Sequence, residues 1–252
     1  METEIMRVKA IIIVGIILLI ASCVKKTLNE YPEPPEPPVP VLGKVVVDID
    51  WNNVQADSML VKIGDSIQNI ILQNQPDTFV LKKGGYNIFA YNTQPNIVMN
   101  DSIANFNVAN GYMEPVMDTF YCATHNVTVV ADSVVNISLV PQRQTRVLVI
   151  DFVTNDTIYT IQSLTGEINN IASSFNMYTN TEENTAKLLF TGTSVDASLF
   201  GIIGTSQTLT VDVKYWSDTA ITRKIVDISS DIQDFNDKSQ KYKFLNIILD
   251  KY

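Results

Sequence analysis

Cys23, Cys122 and His125 supply the thiols and the imidazole of this chain, and an Asp–hydroxyl pair recurs along it. Cys122 and His125 stand three apart, which is half of a zinc site, and no second pair completes it. A nucleophilic triad has that one imidazole to draw on. Carboxylates are plentiful, but Asp48, Asp50, Asp151 and Asp212 fall within or beside predicted strands. Paired acids for glycoside chemistry are defined by their separation in space, which a sequence does not give. No glycine-rich loop follows a strand and opens a helix to cradle phosphate. The reading is therefore a non-catalytic chain with no metal and no cofactor.

The thiol with the most informative surroundings is Cys23. Arg7 and Lys9 precede an apolar run from Ala10 to Ala21, and Ala21-Ser22-Cys23 closes it with small residues. A permanent spanning helix needs ~20 apolar residues, and this run is shorter. Basic flank, short apolar centre and small-residue exit describe a secretory signal. Ile20-Ala21-Ser22-Cys23 resembles the bacterial lipobox, which implies cleavage before Cys23 and acylation of that cysteine with palmitate-type chains. The rival readings are a plain signal peptide with an incidental cysteine, or an anchor helix. Glu2 and Glu4 are out of place in a positive leader, so Met6 is an expected start. One acyl chain, at ~0.8 kcal/mol per buried CH₂, holds a protein marginally, and two or more hold it durably.

Without a leader of residues 1–22, about 230 residues remain, enough for one large or two medium β domains with a real core. The net charge of −9 excludes nucleic acid as an expected partner, because phosphate binding needs clustered Lys and Arg. It equally disfavours flat docking on an anionic membrane. With Cys23 lipidated, Cys122 has no intramolecular disulfide partner, and packing alone must stabilise the fold.

Residues 23–42 read as the lipidated N-terminus and a tether. Tyr31 to Pro40 is proline-rich, which forbids sheet pairing and favours a polyproline II rod. At ~3.1 Å per residue, about ten such residues reach roughly 30 Å. The functional reading is a stand-off from the membrane; the rival is a PxxP ligand.

From Lys44 the pattern has period two. Val45, Val47, Ile49 and Trp51 share one face, and the alternation returns at Tyr86-Ile88-Ala90, Val127-Val129, Val135-Ile137-Leu139 and Leu209-Val211-Val213-Tyr215. Turn clusters such as Lys82-Lys83-Gly84-Gly85 and Asn92 to Asn96 separate these runs. No window of helical length carries an apolar stripe, so the class is an all-β sandwich or barrel. Lys44 to Trp51 and Arg146 to Phe152 echo each other: a basic residue, β-branched residues, an Asp and a closing aromatic. That echo predicts two units, residues 43–142 and 143–252. Tyr242 to Leu249 is apolar on both faces, with Phe244 and Ile248 on one and Leu245, Ile247 and Leu249 on the other. This predicts a strand buried on both sides, or one exchanged with a neighbouring subunit.

Several stretches together resemble the fimbrillin-related anchor and minor-subunit lipoproteins of Bacteroides-type bacteria. They are the lipobox with Val47-Asp48-Ile49-Asp50-Trp51, Leu81-Lys82-Lys83-Gly84-Gly85-Tyr86-Asn87-Ile88 followed by Tyr91-Asn92, Met117-Asp118-Thr119-Phe120-Tyr121, and a Leu164-Thr165-Gly166 turn. Lys82 and Met117 stand where proline is common in that family. The resemblance implies two tandem transthyretin-like β-sandwich domains. It also implies a role at the cell-surface end of a fimbria or as a minor subunit, with assembly by donated strands.

The Asp–hydroxyl pairs at Ser58, Ser66, Ser102, Ser133, Thr157 and Thr219 are similar to the O-glycosylation acceptor pattern of exported proteins in the same bacteria, and Asp-Ser and Asp-Thr also form turns before strands. Trp51, Trp216 and Tyr215 are candidates for a sugar-stacking platform, with core packing the favoured fate of Trp51. The leading function is thus a lipid-anchored fimbrial subunit or anchor acting in surface attachment, with fimbrial subunits as partners. The alternative is a surface lipoprotein binding glycans or another ligand. Location is expected at the outer membrane, held through Cys23, with the leaflet open.

Overall fold

Alternating apolar side chains have one stable use in a chain of short strands, which is to face a second sheet across a shared core. The computed structural model describes residues 41–64, 67–155, 159–216 and 218–251. The leader, Cys23, the tether through residue 40, Ser66 and Thr157 lie outside them. The described residues are all-β.

Strands β1 (Leu42–Ile49), β4 (Asp77–Lys82) and β10 (Val134–Leu139) form one sheet, in the order β10-β1-β4. It packs on a five-stranded sheet of β2 (Ser58–Ile63), β3 (Ile67–Leu72), β5 (Gly84–Tyr91), β9 (Tyr121–Val129) and β11 (Gln142–Arg143), ordered β11-β9-β5-β2-β3. Val45, Val47 and Ile49 are buried as their spacing requires, and meet Met59, Val61, Ile63, Ile88, Val129 and Leu139 in this first core. Trp51 is half-buried against it.

The second sandwich repeats the plan. Its smaller sheet joins β12 (Arg146–Val153) to β15 (Ser194–Leu199) and β18 (Tyr242–Ile248), in the order β15-β12-β18. The larger sheet runs β17-β16-β13-β14-β8 and uses β8 (Tyr112–Met113), β13 (Ile161–Asn176), β14 (Thr181–Thr191), β16 (Thr208–Tyr215) and β17 (Ile221–Asp227). The two strands that echo each other in sequence are topological equivalents. β1 and β12 each stand at the centre of a three-stranded sheet, with a parallel partner on one side (β10, β18) and an antiparallel one on the other (β4, β15).

The two cores are joined rather than strung apart. β13 is twice as long as β16, which pairs only its first half, from Ile161 to Ile168. The far end, Ser174–Asn176, pairs instead with β7 (Ile103–Phe106), whose other neighbour is β6 (Ile97–Asn100). Residues 97–113 thereby place Ile97, Ala104, Phe106 and Met113 in the second core. β5 divides its side chains: Ile88 and Ala90 enter the first core, Phe89 and Tyr91 the second. Phe200, fully buried, ties these segments together, with ring centroids 4.5 Å from Phe106, 5.9 Å from Phe120 and 5.9 Å from Phe175.

Two local expectations are corrected. Leu164-Thr165-Gly166 is not a turn but lies inside β13, where Gly166 faces Phe190 across the ladder. A Cβ on Gly166 would come within 2.5 Å of the Phe190 ring and 2.8 Å of the Thr210 carbonyl oxygen, so the glycine makes room for the aromatic ring rather than bending the chain. The C-terminal strand is not buried on both sides. Leu245, Ile247 and Leu249 are buried, while Phe244 and Ile248 on the opposite face are exposed. β18 is an edge strand, and no third layer covers that face among the described residues.

Phe200→Ala is expected to cost about 3–5 kcal/mol, the range for truncating a buried aromatic. Because Phe200 contacts segments from both halves, urea denaturation followed by fluorescence should show both cores losing stability together. A loss confined to one transition would count against this joint.

Candidate functional site

Outward positions on the larger sheet of the second sandwich follow from the same alternation that fills its core. Leu209, Val211, Val213 and Tyr215 point in, so Thr210 and Asp212 point out. Register then brings Arg223 of β17 opposite Asp212, and Thr165 of β13 on its other side. Glu167 of β13 and Lys187 of β14 complete a polar floor, and Tyr112 of β8 and Glu114 just after it form a wall. The result is an open groove of about 840 Å³.

Four of its charges are fixed in two pairs. Arg223 donates from Nε and Nη2 to the two oxygens of Asp212, at 2.8 and 2.7 Å. Lys187 Nζ donates to Glu167 Oε1 at 2.7 Å and sits 5.7 Å from the Tyr112 ring centroid. The Arg223 guanidinium holds the Asp212 carboxyl below its ordinary value, and the hydrogen bond to Glu167 raises the Lys187 ammonium above its own. Exposed pairs of this kind add little to stability. They hold donors and acceptors in set positions on the groove floor. Among the described residues no group of three or more His, Cys, Asp or Glu could hold a metal ion.

The second surface is β18. Tyr242 and Phe244 stack with centroids 6.1 Å apart and are exposed on an edge strand, with exposed Ile248 beyond Asn246 on the same face. Arg143 lies 6.0 Å over the Tyr242 ring. The strand is anchored at its end, where the Tyr215 hydroxyl donates to the Leu249 carbonyl at 2.8 Å and Leu249 N–H to Val153 at 2.8 Å.

The residues singled out from sequence do not form one site. Ser58 begins β2, and Ser102 follows Asp101 in the turn between β6 and β7. Ser133 follows Asp132 in the turn between β9 and β10, and its hydroxyl donates to the Val130 carbonyl at 2.7 Å. Asp101 and Asp132 take left-handed φ values of 53° and 54°, the turn role their residue type favours. Thr219 is exposed before β17. His125 is exposed on β9. Of the three aromatics, Trp216 is exposed, Tyr215 is fully buried and Trp51 packs on the other core, so they build no common platform. In the sequence Asp212 reads as a strand carboxylate and Thr165 as part of a turn rather than as groove residues, although the inward alternation of β16 marks Thr210 and Asp212 as outward.

No family model and no curated relative matches the sequence. Solved structures do match its fold. A candidate adhesin from Bacteroides ovatus aligns over 90% of this chain and 96% of its own, with a TM-score of 0.62 at 11% identity. A candidate polysaccharide-binding protein from Bacteroides thetaiotaomicron aligns over 82% and 90%, with a TM-score of 0.59 at 11% identity. The fimbrial anchor protein Mfa2 from Porphyromonas gingivalis aligns over 82% and 90%, with a TM-score of 0.53 at 13% identity. The fold is thus the one adopted by proteins of the kind that the sequence resembles.

Cys122 is buried where β9 meets the second core, and burial pushes its thiol up to about 12 against smaller opposing effects of Lys238 and Gln144. In a Cys23→Ser chain, Cys122 should resist a thiol reagent at pH 8 while the protein is folded and react within seconds in denaturant. Rapid labelling of the native protein would contradict its placement.

Proposed function

We propose that this chain is a non-catalytic, lipid-anchored fimbrial or fimbria-like subunit or anchor protein, held at the outer membrane through acylated Cys23 and acting in surface attachment. The proposal includes the division at residue 142 into two transthyretin-like sandwiches, with the proline-rich segment as a stand-off. The observation that carries it is β18. An edge strand that leaves Tyr242, Phe244 and Ile248 exposed offers both backbone hydrogen-bonding groups and an apolar face to another protein chain. The fold shared with a fimbrial anchor and with candidate adhesins supports the same reading. Glycan on some of Ser58, Ser66, Ser102, Ser133, Thr157 and Thr219 belongs to this proposal, since the Asp–hydroxyl pattern suits an exported protein, and Ser102 and Ser133 stand in turns while Ser58 opens β2.

The decisive experiment follows the native protein through mild detergent extraction with labelled palmitate. The wild type should incorporate label and bring partner subunits with it. Cys23→Ser should lose the label and leave the envelope fraction; an unlabelled wild type would overturn the anchor. A Phe244→Lys/Ile248→Lys variant should keep its fold and label but lose its partners, and full retention of partners would remove β18 from the interface. Deleting Tyr242–Tyr252 is uninformative here. It would strip Leu245, Ile247 and Leu249 from the core, at ~1.5–3 kcal/mol each, and so tests folding.

A second reading is favoured by the groove, whose paired charges and Tyr112 suit a hydroxylated ligand, as in the polysaccharide-binding assignment of one structural neighbour. Under that reading a glycan array gives signals that Lys187→Ala/Arg223→Ala abolishes. An array without hits counts against it.

A further inference from the structure

The smaller sheet of each sandwich sets its opening strand beside its closing one, and the two run parallel. In the first, residues 44–49 of β1 lie level with residues 134–139 of β10. In the second, residues 147–153 of β12 lie level with residues 242–248 of β18. Neighbours joined by tight turns are antiparallel, whereas a parallel pair needs a long crossover. Here the crossover is most of the sandwich, so each parallel pair ties the way in to the way out.

Register gives the direction of any load. Leu42 stands level with Lys82, at the end of the first sandwich where β4 turns into β5 and β9 into β10. Ile49 and Leu139 stand at the opposite end. There the chain crosses to Arg146, and there Tyr91 and Cys122, level with each other, enter the second core. Tension between Leu42 and the second sandwich therefore runs along β1. Because β1 is central, it slides out only by breaking its ladders to β10 and β4 together. In the second sandwich β12 starts at the joint, where Arg146 donates to the Phe200 carbonyl. β18 runs away from that joint to Ile248, level with Val153, so tension leaving by its end draws it along β12.

Both load points are fastened. At the entry, the Val41 carbonyl accepts from the Lys83 N–H at 3.0 Å and the Leu42 carbonyl from the Asp132 N–H at 2.9 Å. At the exit, beyond the Tyr215 hydroxyl on the Leu249 carbonyl, Asp250 accepts from the Asn155 N–H at 2.8 Å and from the Thr154 hydroxyl at 3.3 Å. Lys251 Nζ lies 3.1 Å from Asp218 Oδ2. These ties oppose fraying of the terminal pairs, so that load reaches the whole ladder.

A force along the strands strains every hydrogen bond of a ladder at once. A force across one end strains only the last bond, and the ladder opens pair by pair. Resistance to forced unfolding follows the unfolding rate rather than the equilibrium stability, so the direction of loading sets the strength. Cys122 is a free, buried thiol, which leaves the ladders and cores to resist the load.

We propose that this chain is a load-bearing link, in which β1–β10 and β12–β18 act in series as shear clamps. They carry tension between the chain entering at Leu42 and a partner pulling on the end of β18. The source of that tension rests on the proposed roles of Cys23 as anchor and β18 as partner surface; the clamps belong to the body alone.

The test stretches single molecules of the full Cys23→Ser chain between two thiol handles, with Cys122 buried and unreactive. Val41→Cys/Tyr252→Cys loads both clamps along their strands. Val41→Cys/Val134→Cys pulls β1 and β10 apart at one end, and Val153→Cys/Tyr252→Cys does the same to β12 and β18. The three valines are exposed, so all three chains should keep the wild-type melting midpoint, and differences in force report direction alone. At one loading rate the first chain should rupture at about twice the force of the other two, or more. Rupture of the first chain at a force no higher than either of the others overturns the proposal. The palmitate experiment is independent of this one. Failure there removes the membrane as the source of load and leaves the clamps; equal forces here remove the clamps and leave the anchor.

Discussion

β5 has no solvent face over its last four residues. Ile88 and Ala90 fill one core, Phe89 and Tyr91 the other, and the adjacent β9 does the same with Tyr121 and Cys122. Most strands of a sandwich bury alternate residues and leave the rest to water. Here one wall serves two interiors, so neither core can be rearranged without disturbing the other. Phe200 enters from the far side, where its ring meets Phe106, Phe120 and Phe175.

The same constraint explains why residues 97–113 leave the half of the chain that they are written in. β13 runs on past the end of β16, and Ser174–Asn176 would otherwise offer an open edge above Phe175, a residue with no exposure. β7 closes that edge, and β8 adds to β14. A buried edge with unpaired amides would cost more than the short loops needed to bring these strands over.

How far the sequence could be read follows from which interactions are local. Period-two runs at β1, β10 and β16 reached the page because one buried face imposes them directly. The echo of Lys44 to Trp51 in Arg146 to Phe152 was legible because both strands are the central members of equivalent three-stranded sheets, with the same pattern of parallel and antiparallel neighbours. β13 was not legible. Its ladder slips between Ile168 and Ile171, and Asn170 takes φ 55°, so two fully buried isoleucines stand three apart and break the alternation. Gly166 read as a turn because its actual cause, the Phe190 ring on the paired strand, is 24 residues away. The groove leaves no motif: its floor is made by register between strands, and register is set by the core.

Edge strands show where this design departs from protection. Natural sheets blunt their edges with charge and polar side chains. β3 presents Gln68 and Asn69 to solvent along with Ile70 and Leu72, and β17 carries Arg223 and Lys224. β18 turns Lys243 to Asp234 at 2.6 Å, while its outward positions hold Tyr242, Phe244, Asn246 and Ile248. The inward half of the strand cannot explain those choices, because Leu245, Ile247 and Leu249 already satisfy the core. Ile221 and Ile225 on β17 are as exposed, but Arg223 stands between them in a bidentate pair with Asp212 and interrupts any apolar surface. On β18 the two aromatic rings stack without a charge between them. On the proposed reading, that exposed aromatic pair at an open edge, which the sheet's own interior does not need, is what a partner chain covers.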